Sequence, residues 1–95
     1  MDTLNKRESA ETDILAELSE HQTVVGTKQL KKILIRGDAC QVFLACDADP
    51  AITAPLEQLC EQYRVAYHWV DHMSDLGRAC GIDVGAAAAA TVASN

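Results

Sequence analysis

The chain of 95 residues has no apolar run approaching the ~20 residues that a membrane-crossing helix needs. Its opening segment, MDTLNKRESAETD, has no apolar stretch of the kind a secretory signal carries, so the expected location is the cytoplasm. No CxxC pair occurs among Cys40, Cys46, Cys60 and Cys80. Each sits within or beside an apolar stretch, and all four are expected as reduced, buried thiols rather than metal ligands or disulfide partners. GxGxxG, P-loop and GxSxG patterns are missing as well, and nothing in the sequence places a cysteine beside a histidine. No catalytic constellation can therefore be named, and the chain is read as a non-enzyme that needs no cofactor. Aromatics are few: Phe43, Tyr63, Tyr67 and Trp69 are expected in or partly in the core. The signature of an RNA-recognition motif is absent. Basic residues are also outnumbered, eight Lys and Arg against fourteen Asp and Glu, for a formal charge of −6. That balance argues against indiscriminate binding to nucleic acid or anionic membrane, while leaving room for a local basic site.

What is present fits one small domain, long enough to bury roughly 60–65% of its unfolded surface around one modest core. The 48% hydrophobic fraction with mixed charges reads as an ordinary soluble protein. Residues 1–12 are polar and charged and are expected to be a flexible tail, with a single domain over residues 13–95. Thr12 can cap a short helix whose apolar stripe is Ile14, Leu15 and Leu18. QTVVGT suggests a short strand feeding a turn at Gly26. Residues 28–36 follow as a helix stopped by Gly37, and QVFLAC, residues 41–46, has the length of a buried strand. Pro55 is tolerated only in a first helical turn, so the next helix is expected to begin near Ala54 and to bury Leu56, Leu59, Cys60 and Tyr63. Residues 65–70, VAYHWV, read as a third strand, and Ser74 as the cap of a short helix ended by Gly81. For the alanine run after Gly85, propensity favours helix while the flanking Gly85 and Thr91-Val92 suit a strand. The alternation of strands and helices argues for a sheet with helices on both faces.

The positive charge is gathered in one place. Lys28, Lys31, Lys32 and Arg36 are half of the basic residues, and no acid lies between His21 and Gly37. At helical spacing these four share one face, opposite Leu30, Ile33 and Leu34. Most four-charge helices simply present a solvated face. Here no acid relieves the repulsion at i, i+4, and Lys28 stands in the first turn, where the helix dipole disfavours a cation by roughly 0.3–1 kcal/mol. Free N–H groups, the dipole and lysines together make a site for an anion such as phosphate. Ile35 falls on the basic side too, an apolar residue with no evident core role.

Three blocks, VGTKQLKK…RGDA, DADP and LGRACGIDVGAAAA, occur in this order. Together they resemble the bacterial YbxF-type members of the L7Ae family of ribosomal proteins, over about residues 24–92. The resemblance implies a three-layer α-β-α sandwich with a mixed four-stranded sheet, which makes the alanine run a strand. It also implies binding to kink-turn RNA, in ribosomal RNA or a leader RNA, with the ribosome as a candidate partner; nothing in the sequence demands more than a monomer. Two pieces would grip the RNA: Gly26, Thr27, Lys28 and Gln29 at the helix start, and Ile82, Asp83, Val84, Gly85 and Ala86 in the loop before the last strand. Archaeal relatives carry Asn-Glu where this chain has Lys28-Gln29, and there the pair reads tandem sheared G·A pairs. Lys28 can donate to guanine O6 and N7, and Gln29 offers both a donor and an acceptor. Lys32 would hold a phosphate or guanine edge, with Lys31 and Arg36 along the backbone. Ile82 and Val84 would pack on an extruded nucleotide, Asp83 would need a donor, and Gly85 and Ala86 would leave room for RNA to approach.

Other candidates carry less. Asp47 and Asp49 are expected to cap turns and helices rather than to hold Mg²⁺ or perform acid chemistry. His68, Asp71 and His72 lie on a strand and its exit turn, where i, i+4 spacing does not converge on a metal. A protein-interaction adaptor on the same fold is the alternative function, in keeping with the acidic net charge.

Overall fold

A computed structural model of the chain describes residues 22–92. The elements run β1 (Thr23–Val25), α1 (Thr27–Arg36), β2 (Ala39–Ala45), α2 (Pro50–Tyr63), β3 (Ala66–Val70), α3 (Met73–Ala79) and β4 (Ala88–Val92). The tail and the short helix expected before residue 22 lie outside the described residues.

The strands make one mixed sheet in the order β1-β4-β2-β3. Strands β2 and β3 are parallel, and β4 runs antiparallel to both of its neighbours. Alternation along β2 sends Val42 and Leu44 to one face and Phe43 and Ala45 to the other. The first face packs with Leu30 and Leu34 of α1 and Leu56 and Cys60 of α2. The second packs with Val70 and with Leu76 of α3. Helices thus cover both faces, which is the three-layer α-β-α sandwich expected from the resemblance. Complete burial of Leu30 and Leu34 contributes about 1.5–3 kcal/mol for each side chain.

The alanine run forms β4 between β1 and β2. Ala88 and Ala90 point into the cluster under α1 and α2, and Ala89 into the cluster under α3. A central strand buried on both faces needs small side chains where helices approach closely from each side. Tertiary packing overrides the helix propensity of alanine here.

Two helix starts differ from expectation. Helix α2 begins at Pro50, not near Ala54, although Pro55 then falls inside it. Asp49 sets the start: its Oδ1 accepts a hydrogen bond from the Ala51 N–H at 3.0 Å, and Pro50 occupies the first helical position with its φ already suitable. Pro55 forgoes one intrahelical hydrogen bond on the exposed side of the helix. Helix α3 begins at Met73, and Ser74 does not cap it. The Met73 N–H donates instead to Asp47 Oδ1 at 2.8 Å, so the capping group comes from the segment after β2. Both aspartates of DADP are therefore helix caps, as expected, but Asp47 caps a helix 26 residues away.

The cysteines divide. Cys60 is buried and Cys80 half-buried, whereas Cys40 and Cys46 are exposed, contrary to the expectation of four buried thiols. Cys40 lies where the β2–β4 register shifts between Ala39 and Gln41, so strand alternation carries it outward. Burial, followed by the carboxylates of Glu57 and Glu61, pushes the Cys60 thiol up to about 11. Among the aromatics Phe43 is in the core, but Tyr63 at the end of α2 and Trp69 on the edge strand β3 are about 40% exposed. Tyr67 is half-buried, and its hydroxyl lies 2.9 Å from Glu57 Oε2 and 2.8 Å from Glu61 Oε2, tying β3 to α2.

Candidate nucleic-acid interface

Topology brings the two predicted pieces to one end of the sheet. Val25, the last residue of β1, pairs with Ala89 near the start of β4. Residues 26–29 leave the sheet where residues 82–87 enter it.

The first piece is built around Gly26. Its φ of 114° and ψ of 142° are reached readily only without a side chain. A Cβ there would also lie 2.7 Å from Gln29 Oε1, because the Gln29 side chain folds back over the turn. No side chain caps α1, no acid occupies its first turn, and the first helical hydrogen bond runs from Leu30 N–H to the Gly26 carbonyl at 2.9 Å. The preceding amides of Thr27, Lys28 and Gln29 thus have no side-chain partner at the positive end of the helix dipole. Leu30 and Leu34 anchor the helix to the sheet, leaving Lys28, Gln29, Lys31 and Lys32 exposed. Among the described residues no ion pair engages these three lysines. Ile35 is 59% exposed on the same side, with no core role. Arg36 stands about 12 Å along the axis from Lys28, by the helical rise. Its Nε lies 3.5 Å from Asp38 Oδ2, an exposed pair.

The second piece is a loop laid directly on α3. Gly77 is buried, and a Cβ on it would collide with the Val84 carbonyl. The loop is held at both ends: Ile82 N–H donates to the Gly77 carbonyl at 3.1 Å, and Ala86 N–H to the Met73 carbonyl at 3.0 Å. Between these points Gly85 passes so near Met73 that a Cβ would meet Met73 Cβ at 3.1 Å. The fixed loop presents Ile82 and Val84 to solvent, Val84 at 69% exposure, with Asp83 exposed between them. Apolar side chains held outward on a rigid segment are a costly surface unless something covers them. Ala86 lies beneath this surface, 3% exposed, in the core with Phe43 and Leu76. Its neighbour Ala87 continues the sheet, accepting from Ala45 N–H at 2.9 Å.

Two residues were missed by sequence reasoning. Ser74 and Arg78, one turn apart on α3, line a cavity of ≈ 300 Å³ with Ile82, Asp83, Val84 and Gly85. Their i, i+4 spacing was visible, but no sequence pattern shows that the loop folds back beside that helix face. The remaining candidates are separated: His68 stacks on Phe43 with ring centroids 5.4 Å apart, while His72 Nδ1 lies 3.7 Å from Asp47. Among the described residues no group of three or more His, Cys, Asp or Glu converges as a metal site. No helix among them is long and apolar enough to cross a membrane.

Fold and site together define a small α-β-α domain that offers a cationic helix start and an apolar loop at the same end of its sheet. Residues 8–95 match the ribosomal protein L7Ae/L30e/S12e/Gadd45 family, and the chain belongs to that family. Among its relatives, an RNA-binding protein of Bacillus pumilus is 45% identical over 75 residues, spanning 78% of this chain and 92% of the relative. The RNA-binding protein YbxF of Geobacillus stearothermophilus is 41% identical over 73 residues, 77% of this chain and 89% of its own length. A solved structure, the Giardia lamblia 15.5kD RNA binding protein, superposes with a TM-score of 0.83 at 29% identity. The match covers 92% of this chain and 75% of that one.

Proposed function

We propose that this chain is a non-catalytic RNA-binding protein that recognises and stabilises kink-turns through the α1 start and the 82–86 loop. The observation that carries the reading is the placement of uncapped, acid-free α1 beside the outward-held Ile82 and Val84. Membership of a family whose relatives are named for RNA binding supports it. Lys28 and Gln29 would address the edges of the tandem G·A pairs, and Lys32 a phosphate or guanine edge. Lys31 lines the backbone, while Arg36, farther along the helix and near Asp38, contributes at the periphery. Gly26 and Thr27 bring backbone close to the RNA, and Ile82 and Val84 cover an extruded nucleotide.

A kink-turn brings two phosphate backbones together, and the local positive charge offsets part of their repulsion. The acidic remainder of the chain, at a formal charge of −6, disfavours RNA that does not fit this patch. The partner is structured RNA in the cytoplasm, ribosomal RNA or a leader RNA, bound by a monomer that can sit on the ribosome.

The test is a gel-shift titration with a kink-turn RNA and with the same RNA lacking its G·A pairs. Selective binding is expected, with log K falling against log salt at a slope of about −2 to −4 for three or four phosphates. Lys32→Ala should weaken binding to the kink-turn strongly. Equal binding by wild type and Lys32→Ala removes that residue's role. No binding to either RNA at low salt transfers the fold to a protein-interaction adaptor.

A further inference from the structure

The two edges of the sheet are not alike. Strand β1 at one edge is three residues long, whereas β3 at the other spans five, Ala66–Val70. Among the described residues β3 pairs only with β2, so its outer side is open. The Val70 carbonyl faces β2, where it accepts from Cys46 N–H at 2.7 Å. By alternation Ala66 and His68 face β2 as well, and Tyr67 and Trp69 turn their N–H and carbonyl groups outward. Natural sheets blunt an open edge with lysine, proline, a bulge or another charge in the strand. Here VAYHWV, residues 65–70, holds no Lys, Arg, Asp, Glu, Pro or Gly.

The side chains beside that edge have a definite chemistry. Tyr67 packs in part against the cluster under α1 and α2, and alternation puts Trp69 on the same face, where it is 42% exposed. The Tyr67 hydroxyl carries one hydrogen but faces two carboxylates, Glu57 at 2.9 Å and Glu61 at 2.8 Å. It can donate fully to only one of them. Among the described residues no ion pair engages either carboxylate. Their charge is felt at Cys60, where it adds to burial in raising the thiol. A cation arriving at this edge meets both carboxylates and the face of an exposed indole.

Charge also selects the occupant. The strands TVV, ACQVFLA, AYHWV and AAATV contain no Lys or Arg, so none of them complements this edge. Two copies joined at β3 would bring Glu57 and Glu61 of both to one seam, where like charges repel. We propose that the open edge of β3 is a docking site for an extended, cationic segment of another protein, which adds a fifth strand to the sheet. Its backbone pairs with Tyr67 and Trp69, and lysines or arginines at alternate positions reach Glu57, Glu61 and Trp69. Strand β3 stands three strand spacings from β1, about 14 Å, so the segment and an RNA held at the α1 start can be bound together. This inference goes beyond the RNA reading and does not rest on it.

The test uses the full chain and a synthetic octapeptide of alternating lysine and valine, with alternating glutamate and valine as the control. Trp69 is the only tryptophan, so its emission reports on this edge directly. The lysine peptide should change that emission saturably and slow hydrogen exchange at the Tyr67 and Trp69 amides by about tenfold or more. The glutamate peptide should do neither. Glu57→Gln combined with Glu61→Gln should weaken binding by about tenfold through the loss of two ion pairs, while glutamine still accepts from the Tyr67 hydroxyl. Trp69→Lys places a repelling cation on the edge and should abolish binding, followed by the anisotropy of a labelled peptide. Its urea midpoint separates that loss from unfolding. The docking site is overturned if the lysine peptide leaves the emission and both amides unchanged, if the two peptides bind alike, or if the double glutamine variant binds as wild type. Concentration-dependent protection of the same amides without peptide assigns the edge to a second copy and overturns the proposed partner. The kink-turn gel shift reads the other end of the molecule, so either reading can fail while the other stands.

Discussion

Replacing Gly77 with alanine sets two physical rules against each other. Gly77 lies inside α3, and its backbone is not in a positive-φ conformation. Helix propensity alone therefore predicts that Gly77→Ala stabilises the protein by about 1 kcal/mol. The tertiary structure predicts the reverse. The new methyl would overlap the Val84 carbonyl, a backbone atom of a loop tied at Ile82 and Ala86. To clear it, the loop must lift by roughly 1.5 Å, judged from ordinary van der Waals contact distances near 3.5 Å. That lift strains the Ile82 N–H bond to the Gly77 carbonyl, worth about 1 kcal/mol. It also disturbs the close packing of Gly85 on Met73, for which overpacking costs about 1–3 kcal/mol. Set against the propensity gain, the net is a loss of about 1–3 kcal/mol, read from urea unfolding midpoints. RNA affinity should fall about tenfold or more, because Ile82 and Val84 move with the loop. Gly81→Ala is the control: at φ 80° it strains the backbone, by about 1–2 kcal/mol, but a methyl there meets no atom within 4 Å. If Gly77→Ala is more stable than wild type and binds RNA equally well, the account of the loop as a rigid platform is wrong.

Two further outcomes test the fold around the site. Asp47→Ala should cost about 1–2 kcal/mol in urea unfolding, since it removes the acceptor for Met73 N–H and with it the cap of α3. An unchanged midpoint would show that the cap is dispensable. The second concerns pH. The Cys60 thiol is raised from its ordinary 9.0 to about 11 by burial and then by Glu57 and Glu61. The Tyr67 hydroxyl is raised also, through its hydrogen bonds to Glu61 and Glu57. Both favour the protonated form when folded; the Cys60 contribution is complete below about pH 9 and is lost as pH rises through about 11, whereas that of Tyr67 is lost only at higher pH. The unfolding midpoint should be lower at pH 10.5 than at pH 8, and a midpoint that rises would contradict the sign. Thiol reagents at neutral pH should modify exposed Cys40 quickly and buried Cys60 only on unfolding.

Much of the architecture was legible because it depends on local rules. The basic face and its apolar opposite follow from 3.6-residue spacing, and Gly37 ends α1 with φ 80° because glycine tolerates the left-handed region. Strand β3 follows from β-branched and aromatic residues between turn signals. Misreadings came where a partner distant in sequence decides. Asp47 caps a helix it does not adjoin, and Ser74, a good cap by type, is left out. Pro55 by local rules argues against a helix start before Ala54, but the Asp49 cap and Pro50 are sufficient to nucleate one. Cys40 turned outward through a register shift that no single strand reveals.

The candidate site shows the same division. The sequence by itself determined that positive charge collects on one helix face free of acids, that α1 opens on a glycine, and that the loop 82–86 alternates apolar and polar residues. These are properties of composition and spacing, and they hold in any fold that makes α1 a helix. Tertiary structure decided that the helix start and the loop stand at the same end of the sheet, through the antiparallel pairing of Val25 with Ala89. It also decided that Arg78 and Ser74 join the loop, because Gly77 lets the chain return in direct contact with the helix backbone. Only the folded chain could set these, because strand pairing and close backbone approach join residues about 60 and 7 positions apart in sequence, beyond the reach of any local rule.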